Sequence, residues 1–380
     1  MKRILAFASV LAVCLGAAPL APAVEGSTPV WLPGTPITND GRYVVTRNIF
    51  GGAGVPLIDI RANRVELDLN GFALDGVFSD IAITISAPQP EEIVIRNGLI
   101  VNCPTAVERP AGLPPAGTVV VEDMQIRNHI GPAIYLADVE NPIVRRVNIA
   151  NEADVGAGGN GIELDGPQVF KNGTIEHNTI RSTFNGIRVY KGSAMAIRHN
   201  RIETPFNDGI LVEQCVACLI EKNTISDADV HGIHLAFGGA DPEVSTGNKV
   251  YNNVVHRGEV RGILVDFGCD DNLILDNVIR QCGWGGAPTP GFGNGHGLEV
   301  QSDRNHIEGN TMNYNDACGM LLLGVRNTFG RNMARGNDPA GTGFCGQGII
   351  CGALFPPDSC DAPGGSDTFG DNLIPGPPIF

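Results

Sequence analysis

Four residues in this sequence combine types and positions that suit proton transfer: Asp208, His231, Arg261 and His296. Each stands directly before a glycine, and each opens a short segment of the same form: DGILVE, HGIHLA, RGILVD and HGLEVQ. An imidazole changes charge near neutral pH, and a carboxylate beside it fixes its orientation. A guanidinium matches the geometry of a carboxylate. The set therefore suits removal of a proton from a carbon next to a carboxylate. On a uronate sugar that step begins either β-elimination or C5 epimerisation. The reaction needs a neutralised carboxylate, a base at C5 and, for elimination, an acid at the leaving oxygen. Arg261 is the candidate neutraliser. His231 or His296 is the candidate base, with Asp208 orienting His231, and Tyr190 or the other histidine is the candidate acid. Arg188, His234 and Glu299 fall beside them as candidate substrate contacts. Trp284 and Phe292, in the loop QCGWGGAPTPGFGNG, offer flat surfaces to sugar rings. Asp266, Asp270 and Asp271 form a candidate calcium site, because calcium takes oxygen ligands. The competing reading is a solvated polar face with no chemistry, for which such residues are ordinary.

A repeat has to position these residues. The frame apolar-x-x-Asn-x-apolar recurs as IEHNTI (175–180), IRHNRI (197–202), IEKNTI (220–225), VYNNVV (250–255), ILDNVI (274–279) and IEGNTM (307–312). It recurs more weakly as FGRNMA (329–334) and FGDNLI (369–374). Without the Asn it extends back through VRRVNI, VEDMQI, IRNGLI and LNGFAL. A second frame, x-Gly-apolar-x-apolar-x, precedes each later copy, from NGIELD at Asn160 to CGMLLL at Cys318. Alternation with period two marks strands with one buried face. Beyond the first residues, no stretch of a dozen residues has helical periodicity. A repeat of this kind cannot bury its apolar face alone, so the copies must stack. Twelve coils stacked at about 4.8 Å give an all-β solenoid roughly 55 Å long. The aligned Asn residues are expected to form a hydrogen-bonded ladder, and the Gly before each strand is expected to occupy a positive-φ turn. The apolar positions should point in and the x positions out. That arrangement sets Asp208, His231, Arg261 and His296 in one row.

These segments, above all VELDLNGFAL, IVIRNGLI and the Gly-Ile coils, resemble the right-handed parallel β-helix proteins of the pectin-lyase-like superfamily over most of residues 60–340. The resemblance implies a right-handed parallel β-helix. It leaves the activity open among polysaccharide lyases, polygalacturonases, uronate epimerases, tailspikes and non-enzymatic surface proteins. Gly295-His296-Gly297 resembles a polygalacturonase motif, and Asn207-Asp208-Gly209 and Asp270-Asp271 match that family loosely. The Arg-x-Lys of the same family is missing, as are the pectate-lyase signatures. The leading expectation is an exported lyase or C5-epimerase of an acidic polysaccharide. The alternatives are a non-catalytic glycan-binding or structural β-helix protein and a polygalacturonase-like hydrolase.

Composition bounds the rest. Lys2 and Arg3, an apolar run from Ile4 to Ala18 and Ala21-Pro22-Ala23 read as a signal peptide ending at residue 23, hence a secreted or periplasmic chain. Of 26 Lys+Arg, two fall in that leader; set against 41 Asp+Glu, the rest leave a balance of −17. Nucleic acid binding is disfavoured, and no later run is long and apolar enough for a membrane span. Acidic polysaccharide then requires locally concentrated cations. Fifty glycines in 380 residues favour turns over helices. One of the ten cysteines lies in the leader, which leaves an odd number and at least one free thiol. Cys345, Cys351 and Cys360 could staple the end. The expected organisation is an N-terminal cap (24–60), the β-helix (61–340) and a Cys/Gly/Pro-rich C-terminal cap with a last coil (341–380), as a monomer.

Overall fold

The computed structural model describes residues 26–337 except 53, 153–157, 167–169, 239–243 and 284–294, together with the strands Ile349–Cys351 and Thr368–Phe369. The leader, Trp284, Phe292 and most of the expected C-terminal cap lie outside the described residues. What is described is strand and turn. One sheet has thirteen strands, another twenty-four, and all the pairings within them are parallel. A typical coil gives one strand to the first sheet, such as Ile187–Tyr190. It then gives two to the second, such as Ala196–Arg198 and Arg201–Glu203, on either side of a bend at Asn200. The second sheet holds the IEHNTI-type frame, and the thirteen-stranded sheet holds the x-Gly-apolar frame.

The core follows from period two. Ile175, Ile197, Ile220, Val250, Ile274, Ile307 and Phe329 stand in register through seven successive coils. All are buried. Each such side chain contributes about 1.5–3 kcal/mol only when a coil lies on both sides of it, which is why the copies stack.

The bend is held by asparagine. Asn253 Oδ1 accepts the backbone N–H of Asn223 at 2.9 Å and its side-chain N–H at 3.0 Å. Asn253 Nδ2 donates to Ile220 O at 2.8 Å and to Asn277 Oδ1 at 3.0 Å. The pattern repeats through Asn178, Asn200, Asn223, Asn277 and Asn310. The residue before each Asn lies in the left-handed region, with φ near 55° at His177, His199, Lys222 and Asn252. Such a conformation costs roughly 1–2 kcal/mol without glycine, and the ladder bonds hold it.

The glycine before each strand has a different reason than expected. Gly186, Gly209, Gly232, Gly262 and Gly297 are not in the positive-φ region. They are small because the coils close on them: a Cβ at Gly209 would lie 2.5 Å from Gly232 O and from Ile225 Cγ2. Segment 24–60 already contributes to the sheets. Thr28–Val30 pairs with Gly41–Val45, and Thr35–Ile37 pairs with Ile58–Ile60.

Candidate active site

The thirteen-stranded sheet brings the row together as its register requires: His231 pairs with Arg261, and Arg261 with His296. Asp208 belongs to the coil before. The row does not point into solvent. Asp208 is 2% exposed, His231 7% and His296 4%, and Glu299 beside them is 3% exposed. The reason lies in the backbone. In this column Asn160, Asn185, Asp208 and His296 cap the N–H of the neighbouring coil, as the asparagines do at the bend. Asn160 Oδ1 accepts from Asn185 N at 3.2 Å, Asn185 Oδ1 from Asp208 N at 3.0 Å, and Asp208 Oδ1 from His231 N at 3.1 Å. Further on, His296 Nδ1 accepts from Cys318 N at 3.2 Å. Side chains that turn back onto the sheet are covered by the coils above and below.

Asp208 then does more than cap. Its Oδ1 lies 2.8 Å from His231 Nδ1 and its Oδ2 lies 3.1 Å from His234 Nδ1, while His234 Nε2 lies 3.0 Å from Asp266 Oδ2. The two rings meet edge to face, with centroids 4.7 Å apart. Burial raises the Asp208 carboxyl, but the hydrogen bonds from His231 and His234 outweigh it and hold it down at about 2. Burial also opposes charge on His234, yet Asp208 and Asp266 on its two sides bring it up to about 9. His234 is therefore an imidazolium held between two carboxylates. His231 is lowered, chiefly by burial, and is neutral at pH 7.

The partners fix the tautomers. The Asp208 carboxylate only accepts, so His231 carries its proton on Nδ1 and leaves the Nε2 lone pair free. That Nε2 is buried and has no partner. His296 has the opposite form. Its Nδ1 accepts from Cys318 N, so the proton sits on Nε2, which is also buried and unpartnered. Neutral His296 can donate at Nε2 but cannot take a proton there. Of the two candidate bases, His231 has the required lone pair.

Both arginines are engaged. Arg261 is hydrogen-bonded through Nε to Glu299, with Nη2 3.4 Å from Glu299 Oε1, and Gln301 Nε2 donates to the same carboxylate at 2.6 Å. Arg188 lies between Glu163 (2.7 Å) and Glu213 (2.6 Å). Tyr190 pairs in register with Glu213, itself a coil before Ala236, and packs against Arg188 and Lys191. It thus lies two coils from the histidines.

The three aspartates do not converge. Asp266 is a partner of His234, whereas Asp270 and Asp271 both pair with Arg304 at 3.0 and 2.9 Å. A calcium site from this trio does not fit. Among the described residues, one His/Asp group, Asp208, His231 and His234, has ligand atoms all within 4.8 Å of one another. Its two nitrogens and one oxygen are not a calcium donor set. Asp266 as the partner of His234 was missed in the sequence because the two stand in different columns of adjacent coils. The diagonal relation becomes visible only once the strands are laid in register. The C-x-x-C pair Cys215 and Cys218 is buried as free thiols, and Cys318 is disulfide-bonded.

Comparison with known proteins agrees with this architecture. The family described as right handed beta helix region matches residues 113–279. No curated sequence matches the chain. Among solved structures, the A-module of the Azotobacter vinelandii mannuronan C-5 epimerase AlgE6 is similar over 92% of this chain and 92% of its own, with 15% identity and a TM-score of 0.56. A variant of the periplasmic alginate epimerase AlgG is similar over 87% of this chain and 78% of its own, at 12% identity and TM-score 0.53. A PL6 alginate lyase seen with a trisaccharide is similar over 90% and 79%, at 15% identity and TM-score 0.50. At such identities these likenesses show the fold. Among the described residues no helix is long and apolar enough to cross a membrane.

Proposed function

Starting from a chain that is a right-handed parallel β-helix of the pectin-lyase-like fold, we propose that it is an enzyme acting on an acidic polysaccharide by removing the C5 proton of a uronate unit. The observation that carries this reading is the network His231–Asp208–His234–Asp266, in which one imidazole has a free lone pair and the other holds a charge. His231 Nε2 is the base. Its pKa is lowered, chiefly by burial, so the ring is unprotonated at neutral pH. Asp208 orients the ring and balances the imidazolium that forms. Arg261 exchanges Glu299 for the uronate carboxylate, and this movement beside His231 opens access to the nitrogen. His234 supplies a proton. In elimination the C5–H electrons form the C4–C5 double bond, the C4–O bond breaks, and the leaving oxygen takes the proton. In epimerisation C5 is reprotonated on the opposite face by a solvent proton, since His234 lies beside the base, and no bond to oxygen is broken. The fold neighbours that act on alginate support the substrate class but do not choose between the two outcomes.

The test incubates the protein with alginate, polygalacturonate, glycosaminoglycans and a neutral glucan. Ultraviolet absorbance of unsaturated uronate with new reducing ends marks a lyase. Changed NMR signals at constant chain length mark an epimerase. New ends without absorbance would sink the proton-abstraction reading in favour of hydrolysis.

A second reading rests on a separate observation: Arg261 is already paired with Glu299 and His231 Nε2 is buried. A protein that binds glycan without reacting would be content with that arrangement. Saccharide binding without any change in the saccharide would support it.

A further inference from the structure

Four exposed phenylalanines border this one sheet. Phe184 and Phe206 precede the strands Ile187–Tyr190 and Ile210–Glu213, with 45% and 41% of their surface exposed. Phe237 and Phe267 follow the strands His231–Ala236 and Arg261–Val265, with 43% and 60% exposed. The members of each pair belong to neighbouring coils. Phe206 N donates to Thr183 O at 2.9 Å, and Asn207 N donates to Phe184 O at 2.8 Å. The Phe237 backbone N–H lies near enough to the Asp266 carboxylate to help lower its pKa. The Phe237 ring reaches over Gly268, the residue after Phe267, where a Cβ would lie 4.0 Å from its Cδ2.

The two pairs are diagonally opposed. One borders the entering edge of two coils, and the other borders the leaving edge of the next two. Asp208, His231, His234 and Asp266 lie between them. Val230 to Phe237 spans seven residues, so the edges are roughly 20 Å apart at an ordinary strand rise.

Folding does not account for these rings. The core beneath these four strands is isoleucine, valine and leucine, and an exposed Phe forgoes the burial that its side chain would otherwise gain. Single exposed apolar residues are ordinary, but here apolar pairs flank both sides of a buried polar cluster. A pyranose ring carries the complementary pattern, with an apolar C–H face and a rim of hydroxyls. A flat ring at each flank and charged groups on the floor can bind both features at once.

We propose that Phe184 with Phe206, and Phe237 with Phe267, are two sugar-binding platforms at the ends of a diagonal track. A pyranose chain of several units crosses this track over the His–Asp network. This rests on the polysaccharide reading above, though not on catalysis. The long span assigns the protein to the interior of a polymer chain rather than to a free monosaccharide.

The experiment titrates short and long alginate-derived oligouronates, followed by calorimetry, into wild type and into the double variants F184A/F206A and F237A/F267A. All four side chains are exposed, so melting temperatures should match wild type. Each double variant is expected to weaken the long oligomer about tenfold, close to the 1.4 kcal/mol per decade of affinity. The short oligomer should respond to one pair alone. A Phe237→Trp variant keeps a ring on the platform and should change its emission on adding saccharide. If wild type binds the long oligomer and both double variants bind it equally well, the platforms are wrong while the polysaccharide reading stands. If wild type binds no saccharide of either length, the reading fails and the platforms fail with it. If the Phe variants change only the oligomeric state in light scattering, the rings are a self-association surface and the proposal is overturned.

Discussion

Two side-chain columns in this molecule do the same backbone task with different residues. At the bend of the larger sheet, Asn178 through Asn310 accept N–H groups from neighbouring coils with a neutral amide. At the entrance to the smaller sheet, Asn160 and Asn185 begin in the same way, and the column then changes to Asp208, His231, Arg261 and His296. An amide is self-complementary: its oxygen accepts and its NH₂ donates, so each Asn satisfies the next. A carboxylate cannot donate. Substituting Asp208 into a ladder therefore demands donors from elsewhere, and His231 and His234 supply them. Structural need alone would have kept asparagine. The difference teaches that a ladder position can carry a charge when adjoining coils satisfy it, which is what its recruitment to the proposed chemistry requires.

The largest expected effect tests that recruitment. His231→Ala should lower turnover per folded molecule by roughly 10²–10⁴-fold, the usual contribution of a general base, a loss far beyond the modest fall in melting temperature expected when Asp208 keeps its backbone donor but loses the ring. Unchanged turnover on a substrate that wild type converts would remove His231 from the mechanism. Asp208→Asn rebuilds the amide ladder. It should cost stability at pH 7, because the buried His234 imidazolium loses one of its two carboxylates, and lower turnover on the order of 10²-fold, because the His231 imidazole loses its orienting charge. A stability loss with full activity would make Asp208 purely structural.

The contrasting column should respond in the opposite sense. Asn253→Ala strands the N–H of Asn223 and the carbonyl of Ile220, at about 1–3 kcal/mol for each buried group left unsatisfied. Thermal denaturation should show a clear fall, with kinetics per folded molecule unchanged. A loss of turnover without a loss of stability would contradict the division between the columns.

pH sharpens the comparison further. His234 is raised from 6.5 to about 9 in the folded chain. It therefore contributes stability that is complete below pH 6.5 and is lost as pH rises through 9. The stability difference between wild type and His234→Gln should shrink over that window, whereas the difference for Asn253→Ala should stay flat. A difference for His234→Gln that is constant from pH 6 to 9 would mean that His234 is not held charged. The smallest expected effect is at the outlying turn. Asp270→Asn with Asp271→Asn should leave turnover and any calcium response unchanged, since both carboxylates serve Arg304. A calcium requirement abolished by that pair would restore the aspartate site.

Much of this was legible in the chain. The IEHNTI frame gave the bend ladder residue by residue, and the x-Gly-apolar frame gave the register that sets His231 beside Arg261 and His296. Period two said which residues form the core. It could not say that an x position next to a glycine folds back onto a neighbouring coil, so Asp208, His231 and His296 were expected in solvent and are buried. Nor could it separate the two reasons for a glycine. Gly209 is small for close approach, while His177 and its equivalents adopt positive φ without glycine.

The sequence by itself determined the solenoid, because a repeated alternation of apolar residues has one efficient way to bury itself: by stacking on its own copies. The tertiary structure decided the charges and tautomers of the candidate site. Only adjacency between coils delivers His234 from one strand to Asp208 and Asp266 on the strands either side, fixes which ring nitrogen of His231 is free, and ties Asp270 and Asp271 to Arg304. Hydrogen-bond partners and burial set charge and tautomer, and both depend on residues more than twenty positions away in the chain.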